Sequence, residues 1–130
     1  MPRLSGKTIL VTGASSGLGR SLAVALSHQD NNLVITARRQ SMLDELACEI
    51  EANGSRCVVV AADATDAEAC RAVLDAGILA FGRIDVAVLN AGGGPNVNMR
   101  EATVEEVLHI MQINFDTLVN FLCPIIAHMR

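Results

Sequence analysis

The 130-residue sequence contains no tryptophan and no tyrosine, and three phenylalanines bring its aromatic content to only 2%. Charge is also sparse: 14 Asp and Glu residues outnumber 10 Lys and Arg residues, which gives a net charge of −4. A mildly acidic chain without basic clusters is not built to bind the phosphate backbone of nucleic acid. The longest unbroken apolar run covers residues 57–62, against the ~20 residues that a membrane span requires. The sequence therefore predicts neither nucleic-acid binding nor a membrane span.

The four cysteines lack the spacing of metal ligands. Cys48, Cys57, Cys70 and Cys123 form no CxxC pair, and no histidine lies at ligand spacing, which argues against a zinc site and a disulfide scaffold. No metal site is predicted. Free thiols suit a reducing compartment, and the N-terminal residues lack the apolar segment of a signal peptide. We therefore expect a cytoplasmic protein.

Short apolar runs alternate along the chain with stretches whose apolar residues recur at helical spacing. Four runs predict strands, at residues 8–11, 33–36, 57–61 and 85–89. Helices are predicted after the first three strands, the second of them capped by Ser41 and the third by Asp66. The strand runs are apolar without interruption, which is typical of parallel strands covered on both faces. The pattern predicts a single α/β domain over residues 1–130.

A long helix is predicted over residues 103–129. Thr103 and Glu106 have the spacing of a capping box at its start. Its apolar residues surround nearly the whole circumference, so it needs cover on several sides, and the sheet supplies only one. We expect this helix to join a second copy of the chain in a homo-oligomer. We also expect the row of Ile110 and Phe121 to be exposed in the chain alone.

The sharpest motif lies between the first strand and its helix, where residues 12–19 read TGASSGLG. Gly13 allows a sharp turn, Gly17 removes a Cβ that would keep a pyrophosphate from the helix N-terminus, and Gly19 permits close packing of helix on strand. Ser15 and Ser16 add hydroxyl groups where an anion would lie. This strand–turn–helix context predicts dinucleotide binding, and the alternative is a tight glycine turn with no ligand.

The glycine spacing at residues 12–19 resembles the cofactor fingerprint of the classical short-chain dehydrogenase/reductase family. Three further motifs follow in the order and spacing of that family. They are DAT at residues 63–65, LNAG at residues 89–92 and IN at residues 113–114. Leu89 departs from the family pattern, which has asparagine at the corresponding position.

The resemblance implies a Rossmann-type parallel sheet in the order 3-2-1-4 with flanking helices, truncated before strand 5. It places a nicotinamide dinucleotide at the carboxyl ends of the strands. The predicted cofactor-binding residues, with the two arginines argued below, are Gly13, Ser15, Ser16, Gly17, Leu18, Gly19, Arg38, Arg39, Asp63, Ala64, Asn90, Ala91 and Gly92. The resemblance makes Asn114 catalytic through a held water and a proton relay. The residues alone explain Asn114 equally well by a purely structural hydrogen bond. For Asp63 the alternative is a turn cap, but its position at the end of a strand beside the glycine loop favours ligand binding.

The end of the second predicted strand indicates the choice of cofactor. An NAD-preferring site has an acidic residue here to bind the ribose 2′-hydroxyl, whereas this chain has Ala37 followed by Arg38 and Arg39. Guanidinium groups suit a 2′-phosphate. The sequence therefore predicts that NADP(H) is favoured over NAD(H), and the alternative is two solvated arginines at the start of a helix.

The catalytic residues of the family are missing from these 130 residues. In the family a Ser after strand 5 and a Tyr-x-x-x-Lys motif perform the proton chemistry, but this sequence has no tyrosine, and its one lysine, Lys7, precedes the first strand. We expect the dinucleotide-binding half of an NADP-dependent oxidoreductase that acts on a small alcohol or carbonyl substrate. The alternative is a truncated, non-catalytic nucleotide-binding or heterodimerising module.

Overall fold

A computed structural model describes residues 4–130, in which four strands and four helices alternate. The strands are β1 (Thr8–Thr12), β2 (Asn32–Ala37), β3 (Arg56–Ala61) and β4 (Val86–Val88). The helices are α1 (Gly17–Ser27), α2 (Gln40–Ala52), α3 (Ala67–Phe81) and α4 (Val104–Met129).

The strands form one parallel sheet in the order β3-β2-β1-β4, which confirms the predicted topology. Thr12 at the end of β1 is in register with Thr36 near the end of β2, and Thr36 is in register with Val60. Because the strands are parallel, the loops that follow them leave from one edge of the sheet, and the strand order reverses between β1 and β4. That edge is where a ligand site is expected.

The sheet lies between two helical layers. Helices α1 and α2 cover one face, where Ile9, Leu33 and Leu46 are fully buried. Helices α3 and α4 cover the other face over Leu10 and Val34. Every residue of β1 is buried, as predicted for a strand covered on both faces, whereas β3 and β4 are half-buried because they form the edges of the sheet.

Two of the three predicted helix caps are present. The Asp66 carboxylate accepts hydrogen bonds from the N–H groups of Glu68 and Ala69. Thr103 and Glu106 form the predicted capping box at the start of α4. The prediction for Ser41 was wrong, because α2 begins one residue before it and Arg39 takes the N-cap position without a side-chain cap.

Two long-range hydrogen bonds between Thr8 and Asp85, which we call the clip, join the start of β4 to β1. The Thr8 N–H donates to Asp85 Oδ2 at 2.9 Å, and the Asp85 N–H donates to the Thr8 carbonyl, also at 2.9 Å. The hydrogen bond from the Thr8 N–H lowers the pKa of the Asp85 carboxyl, with further help from the charges of Arg83 and Lys7. The carboxylate thus holds the start of β4 in register.

Helix α4 carries a row of exposed apolar side chains on the side away from the sheet. We call this row the apolar stripe; it consists of Val104, Leu108, Met111, Phe115, Leu118, Ile126 and Met129. The expectation that Phe121 would be exposed was wrong, because its side chain is only 1% exposed and packs with Ile125 in the core. The sheet and α3 therefore cover more of α4 than its composition indicated.

Helix α4 is also the one helix within residues 4–130 that has the length and hydropathy of a membrane span, with a mean hydropathy of 1.4. The prediction from unbroken apolar runs did not consider helix length. Length and composition do not distinguish a spanning helix from one that packs inside a protein, so this finding alone is weak evidence for a membrane. Helix α4 is also joined to the rest of the fold, because its Asn114 and Asn120 side chains bind backbone groups of neighbouring loops.

Candidate functional site

A cleft of about 860 Å³ opens at the carboxyl edge of the sheet. The loops after all four strands line it, together with one side of α4. The predicted cofactor residues that line the cleft are Gly13, Ser15, Ser16, Arg38, Arg39, Asp63, Ala64, Asn90, Ala91 and Gly92. The topology therefore brings together residues that lie up to 79 positions apart in the sequence.

The remaining predicted residues of the glycine loop form the first turn of α1. Gly13 and Gly17 have φ values of +64° and +58°, which side-chain-bearing residues rarely adopt. A Cβ added to Gly19 would overlap the Gly13 carbonyl oxygen and lie 2.7 Å from Asn90 Nδ2. Ser16 is the N-cap of α1, but its side chain makes no capping hydrogen bond. The small Gly19 thus lets the start of α1 lie close against β1. Leu18, in the same turn, is 82% exposed.

The Thr12 hydroxyl joins the glycine loop to the loop after β4. Its oxygen accepts hydrogen bonds from the N–H groups of Asn90 and Ala91, both at 2.9 Å, and donates to the Val88 carbonyl at 3.3 Å. The Asn90 side-chain amide in turn donates to the Gly13 carbonyl at 3.3 Å. Sequence reasoning missed the role of Thr12, although a hydroxyl at the end of an apolar strand was the available signal.

Asn114 is a structural link between α4 and the same loop. Its Oδ1 accepts the Gly93 N–H at 3.0 Å, and its Nδ2 donates to the Gly93 carbonyl at 2.7 Å and to the Ile110 carbonyl at 2.8 Å. A Cβ on Gly92 would lie 2.6 Å from Asn114 Oδ1, so a side chain there would displace the Asn114 amide from its hydrogen bonds. Asn114 itself does not line the cleft, so the structural role is present and the proton relay stays a prediction.

Asp63 caps the turn that follows β3. Its Oδ1 accepts hydrogen bonds from the Thr65 N–H at 2.9 Å and from the Thr65 hydroxyl at 2.8 Å. Those bonds, and to a smaller extent the charge of Arg38, lower the pKa of the Asp63 carboxyl. The turn-capping role is therefore present, and its contact with a ligand stays a prediction.

Arg38 and Arg39 stand exposed at the rim of the cleft, directly after β2. Among residues 4–130 neither guanidinium forms an ion pair with a carboxylate. Arg39 is the N-cap residue of α2, where the positive end of the helix dipole disfavours a cation. The two arginines thus place positive charge at one end of the cleft without a partner in the described chain.

Two hydroxyl groups on the cleft wall were not predicted. The Thr117 hydroxyl donates to the Ala91 carbonyl at 3.2 Å. The Thr36 hydroxyl is buried, and its oxygen has no hydrogen-bond partner within the part of the chain that is described. Because a buried, unpaired hydroxyl is costly, Thr36 gives this wall a hydroxyl group that is available to a polar partner.

No three histidine, cysteine or acidic side chains meet as metal ligands in residues 4–130. All four cysteines are free thiols. Burial raises the pKa of Cys57 to about 12 and that of Cys70 to about 11, so both remain protonated at neutral pH. These thiols are poor nucleophiles.

Known proteins resemble this chain in both sequence and structure. The family model for short chain dehydrogenase matches residues 7–130. The 11-beta-hydroxysteroid dehydrogenase A of Sesamum indicum is 42% identical over 86% of this chain and 33% of its own length. A versicolorin reductase of Emericella nidulans is 32% identical over 86% of this chain and 43% of its own. The chain thus spans less than half the length of these two relatives.

Two solved structures superpose closely on the fold. A short-chain type dehydrogenase/reductase from Mycobacterium marinum has a TM-score of 0.88 and 31% identity, and covers 97% of this chain and 51% of its own. The L-sorbose reductase of Gluconobacter frateurii, in complex with NADPH and L-sorbose, has a TM-score of 0.84 and 31% identity. It covers 96% of this chain and 48% of its own.

Proposed function

Because the chain belongs to the short-chain dehydrogenase/reductase family, we propose that it is the dinucleotide-binding half of an oxidoreductase. The reaction would transfer hydride between a nicotinamide and a small alcohol or carbonyl substrate. The observation that carries this proposal is the meeting of four loops in one cleft at the carboxyl edge of the sheet. The activity is proposed for the larger protein, since the chain spans about a third to a half of its curated relatives.

The residues of the cleft fit a dinucleotide. The volume of the cleft, about 860 Å³, is within the usual range for ligand sites. The uncapped start of α1 offers N–H groups and the positive end of a helix dipole to a pyrophosphate. The unpaired Thr36 hydroxyl is available to a polar group of a ligand or to a water beside it. When bound, a nicotinamide dinucleotide supplies the hydride chemistry, while these residues hold and orient it.

We propose that the site favours NADP(H) over NAD(H). The support is the pair Arg38 and Arg39 at the end of β2, where neither has a carboxylate partner within residues 4–130. A 2′-phosphate would satisfy both guanidinium groups and would also place negative charge at the positive end of α2. Ala37 offers no carboxylate to a free ribose 2′-hydroxyl.

Calorimetric titration of NADPH and NADH into the unmodified chain and into the Arg38→Ala variant tests both the proposed dinucleotide site and the proposed preference for NADP(H). We expect the dissociation constant for NADPH to rise at least about tenfold, because a charge-assisted hydrogen bond contributes about 1.5–3 kcal/mol, while that for NADH changes little. Arg71→Ala, at an exposed arginine on α3, is the matched control. NADH binding equal to or tighter than NADPH binding, and unchanged in Arg38→Ala, would contradict the cofactor proposal.

The second candidate function is a non-catalytic nucleotide-binding or heterodimerising module. The observation in its favour is that these 130 residues contain no tyrosine, and that the Asn114 amide is engaged with backbone groups. An amide is neither an acid nor a base at neutral pH. We expect the 130-residue chain to bind NADPH without consuming it in an assay with a panel of carbonyl substrates. Substrate-dependent consumption would show that the chemistry lies in this chain.

The apolar stripe on α4 supports a homo-oligomer through residues 103–129. Its exposed side chains repeat over the full length of a 26-residue helix, and soluble proteins seldom leave such a patch uncovered. We also propose a cytoplasmic location, which the four free thiols support, since cysteines stay reduced there.

A further inference from the structure

The carbonyl oxygen of Ala64, in the turn after β3, receives two side-chain donors. Asn120 Nδ2 on α4 donates to it at 3.0 Å, across 56 residues of sequence. The Cys70 thiol on α3 donates to the same oxygen at 3.4 Å. A carbonyl oxygen has two lone pairs, so both are used. Because burial raises the pKa of Cys70 to about 11, the thiol keeps its proton at neutral pH, although sulfur is the weaker donor.

The other end of the same peptide group is also fixed. The Thr65 N–H, which belongs to the Ala64–Thr65 peptide, donates to Asp63 Oδ1 at 2.9 Å. The peptide plane is therefore held by α4 on its carbonyl side and by Asp63 on its amide side. Rotation of this plane would change the direction in which the Asp63 carboxylate points.

Three polar side chains of α4 hold the cleft loops in the same way. Asn114, Thr117 and Asn120 lie at successive intervals of three residues and bind the carbonyls of Gly93, Ala91 and Ala64, respectively. The first two side chains fix the loop after β4, and Asn120 alone of the three fixes the loop after β3. One helix therefore sets the separation between the two loops.

We propose that Asn120 is a positioning residue of the dinucleotide site, which orients Asp63 toward the adenosine end of the ligand through the Ala64 carbonyl. This inference rests on the proposed function. The Asp63 oxygen that does not bind Thr65 is an acceptor at the cleft, and an adenosine moiety presents amino and hydroxyl donors to such an acceptor. An apolar side chain at position 120 would leave the carbonyl with the weak thiol donor only.

Binding of ligand halves separates this role from a general structural one. Adenosine 2′,5′-bisphosphate probes the adenosine end, nicotinamide mononucleotide probes the other end, and NADPH probes both. In Asn120→Leu of the full chain we expect the dissociation constants for NADPH and the bisphosphate to rise about tenfold, as for loss of one hydrogen bond. We expect less than a twofold change for the mononucleotide.

Two further variants make the test decisive. Asn120→Asp keeps the side-chain shape but replaces the donor by a carboxylate that repels the Ala64 carbonyl, and it serves if the leucine variant does not fold. Asn53→Leu is the matched control, because Asn53 Nδ2 makes one comparable hydrogen bond, to Ser27 Oγ at 2.8 Å, at the opposite edge of the sheet. We expect Asn53→Leu to lose stability but to bind all three ligands as the unmodified chain does.

The outcomes distinguish the two proposals. If the unmodified chain binds neither NADPH nor the bisphosphate, the proposed function is wrong and the role of Asn120 falls with it. If the unmodified chain binds both and the folded Asn120 variants bind equally well, only the role of Asn120 is overturned. Equal losses for the bisphosphate and the mononucleotide would also overturn it, since they would indicate a general loss of structure.

Discussion

Replacing different glycines by alanine should separate effects on dinucleotide binding from effects on folding stability. Gly17 and Gly82 both have positive φ values, +58° and +83°, and an added Cβ at either would meet no atom within 4 Å. Gly17 lies in the first turn of α1 beside the cleft, whereas Gly82 ends α3 far from it. Gly19 has no positive φ, but its Cβ would lie 2.9 Å from the Gly13 carbonyl carbon and overlap the oxygen.

The expected magnitudes follow from these surroundings. Gly17→Ala and Gly82→Ala should each lower the free energy of unfolding by about 1–2 kcal/mol, the cost of the left-handed conformation for a residue with a Cβ. Gly19→Ala forces backbone away from backbone, and overpacking of this kind costs about 1–3 kcal/mol, occasionally more. We expect about 3 kcal/mol for Gly19→Ala, since the Gly13 carbonyl group in its way is backbone and cannot move aside as the Asn90 side chain can.

Thermal unfolding followed by circular dichroism measures the stability of each variant, and calorimetry with NADPH measures binding below the melting range. Gly17→Ala and Gly82→Ala should melt at similar temperatures, but only Gly17→Ala should lose binding, because its methyl group occupies the space of the pyrophosphate. Gly19→Ala should have the lowest melting temperature of the three. Undiminished NADPH binding by folded Gly17→Ala would refute the reasoning and leave the loop as a turn without a ligand.

Two other changes test the clip between β4 and β1 and the apolar stripe. Asp85→Asn should lower the free energy of unfolding by about 1 kcal/mol at pH 7. Because the pKa of folded Asp85 is lowered, the difference in melting temperature between the variant and the unmodified chain should persist above pH 4 and shrink as the pH falls through that pKa. A pH-independent difference would contradict the role of the Asp85 carboxylate in the clip. If the proposed homo-oligomer forms, Phe115→Glu should convert it to a monomer in light scattering. Leu79→Glu, at an exposed leucine of α3 outside the stripe, should leave the proposed oligomer intact. An unmodified chain that is already monomeric would exclude the proposed interface.

The element order and topology were predictable because local signals agreed with one another. Uninterrupted apolar strands, the cap at Asp66 and the capping box at Thr103 all appear in the structure as predicted. Ser41 shows the limit of such signals, since a favourable capping residue did not become the cap when the chain entered the helix at Arg39. Helix boundaries depend on the path of the preceding loop as well as on propensity.

The contacts that shape the cleft were less predictable. Thr12, Thr117 and Asn120 reach backbone groups 26 to 79 residues away. The Thr12 contacts depend on the pairing of β4 with β1, and the other two depend on how α4 crosses the sheet. Hydropathy alone also failed for Phe121, because the same apolar composition serves the buried and the exposed sides of α4. Sequence spacing identified the loops of the site, and the packing of one helix decided how they are held.

The pairing of β4 with β1 also has a consequence in time during synthesis. Ile9 pairs with Val86, 77 positions later. One edge of β1 therefore stays unpaired until α1, β2, α2, β3 and α3 have all been synthesised. At 5–20 residues per second this interval is about 4–15 s. Throughout it, an apolar strand exposes open N–H and C=O groups that other nascent chains can pair with. Asp85 arrives one residue before β4, and its hydrogen bonds with Thr8 begin to close that edge of β1, after which the open edges of the sheet lie at β3 and β4.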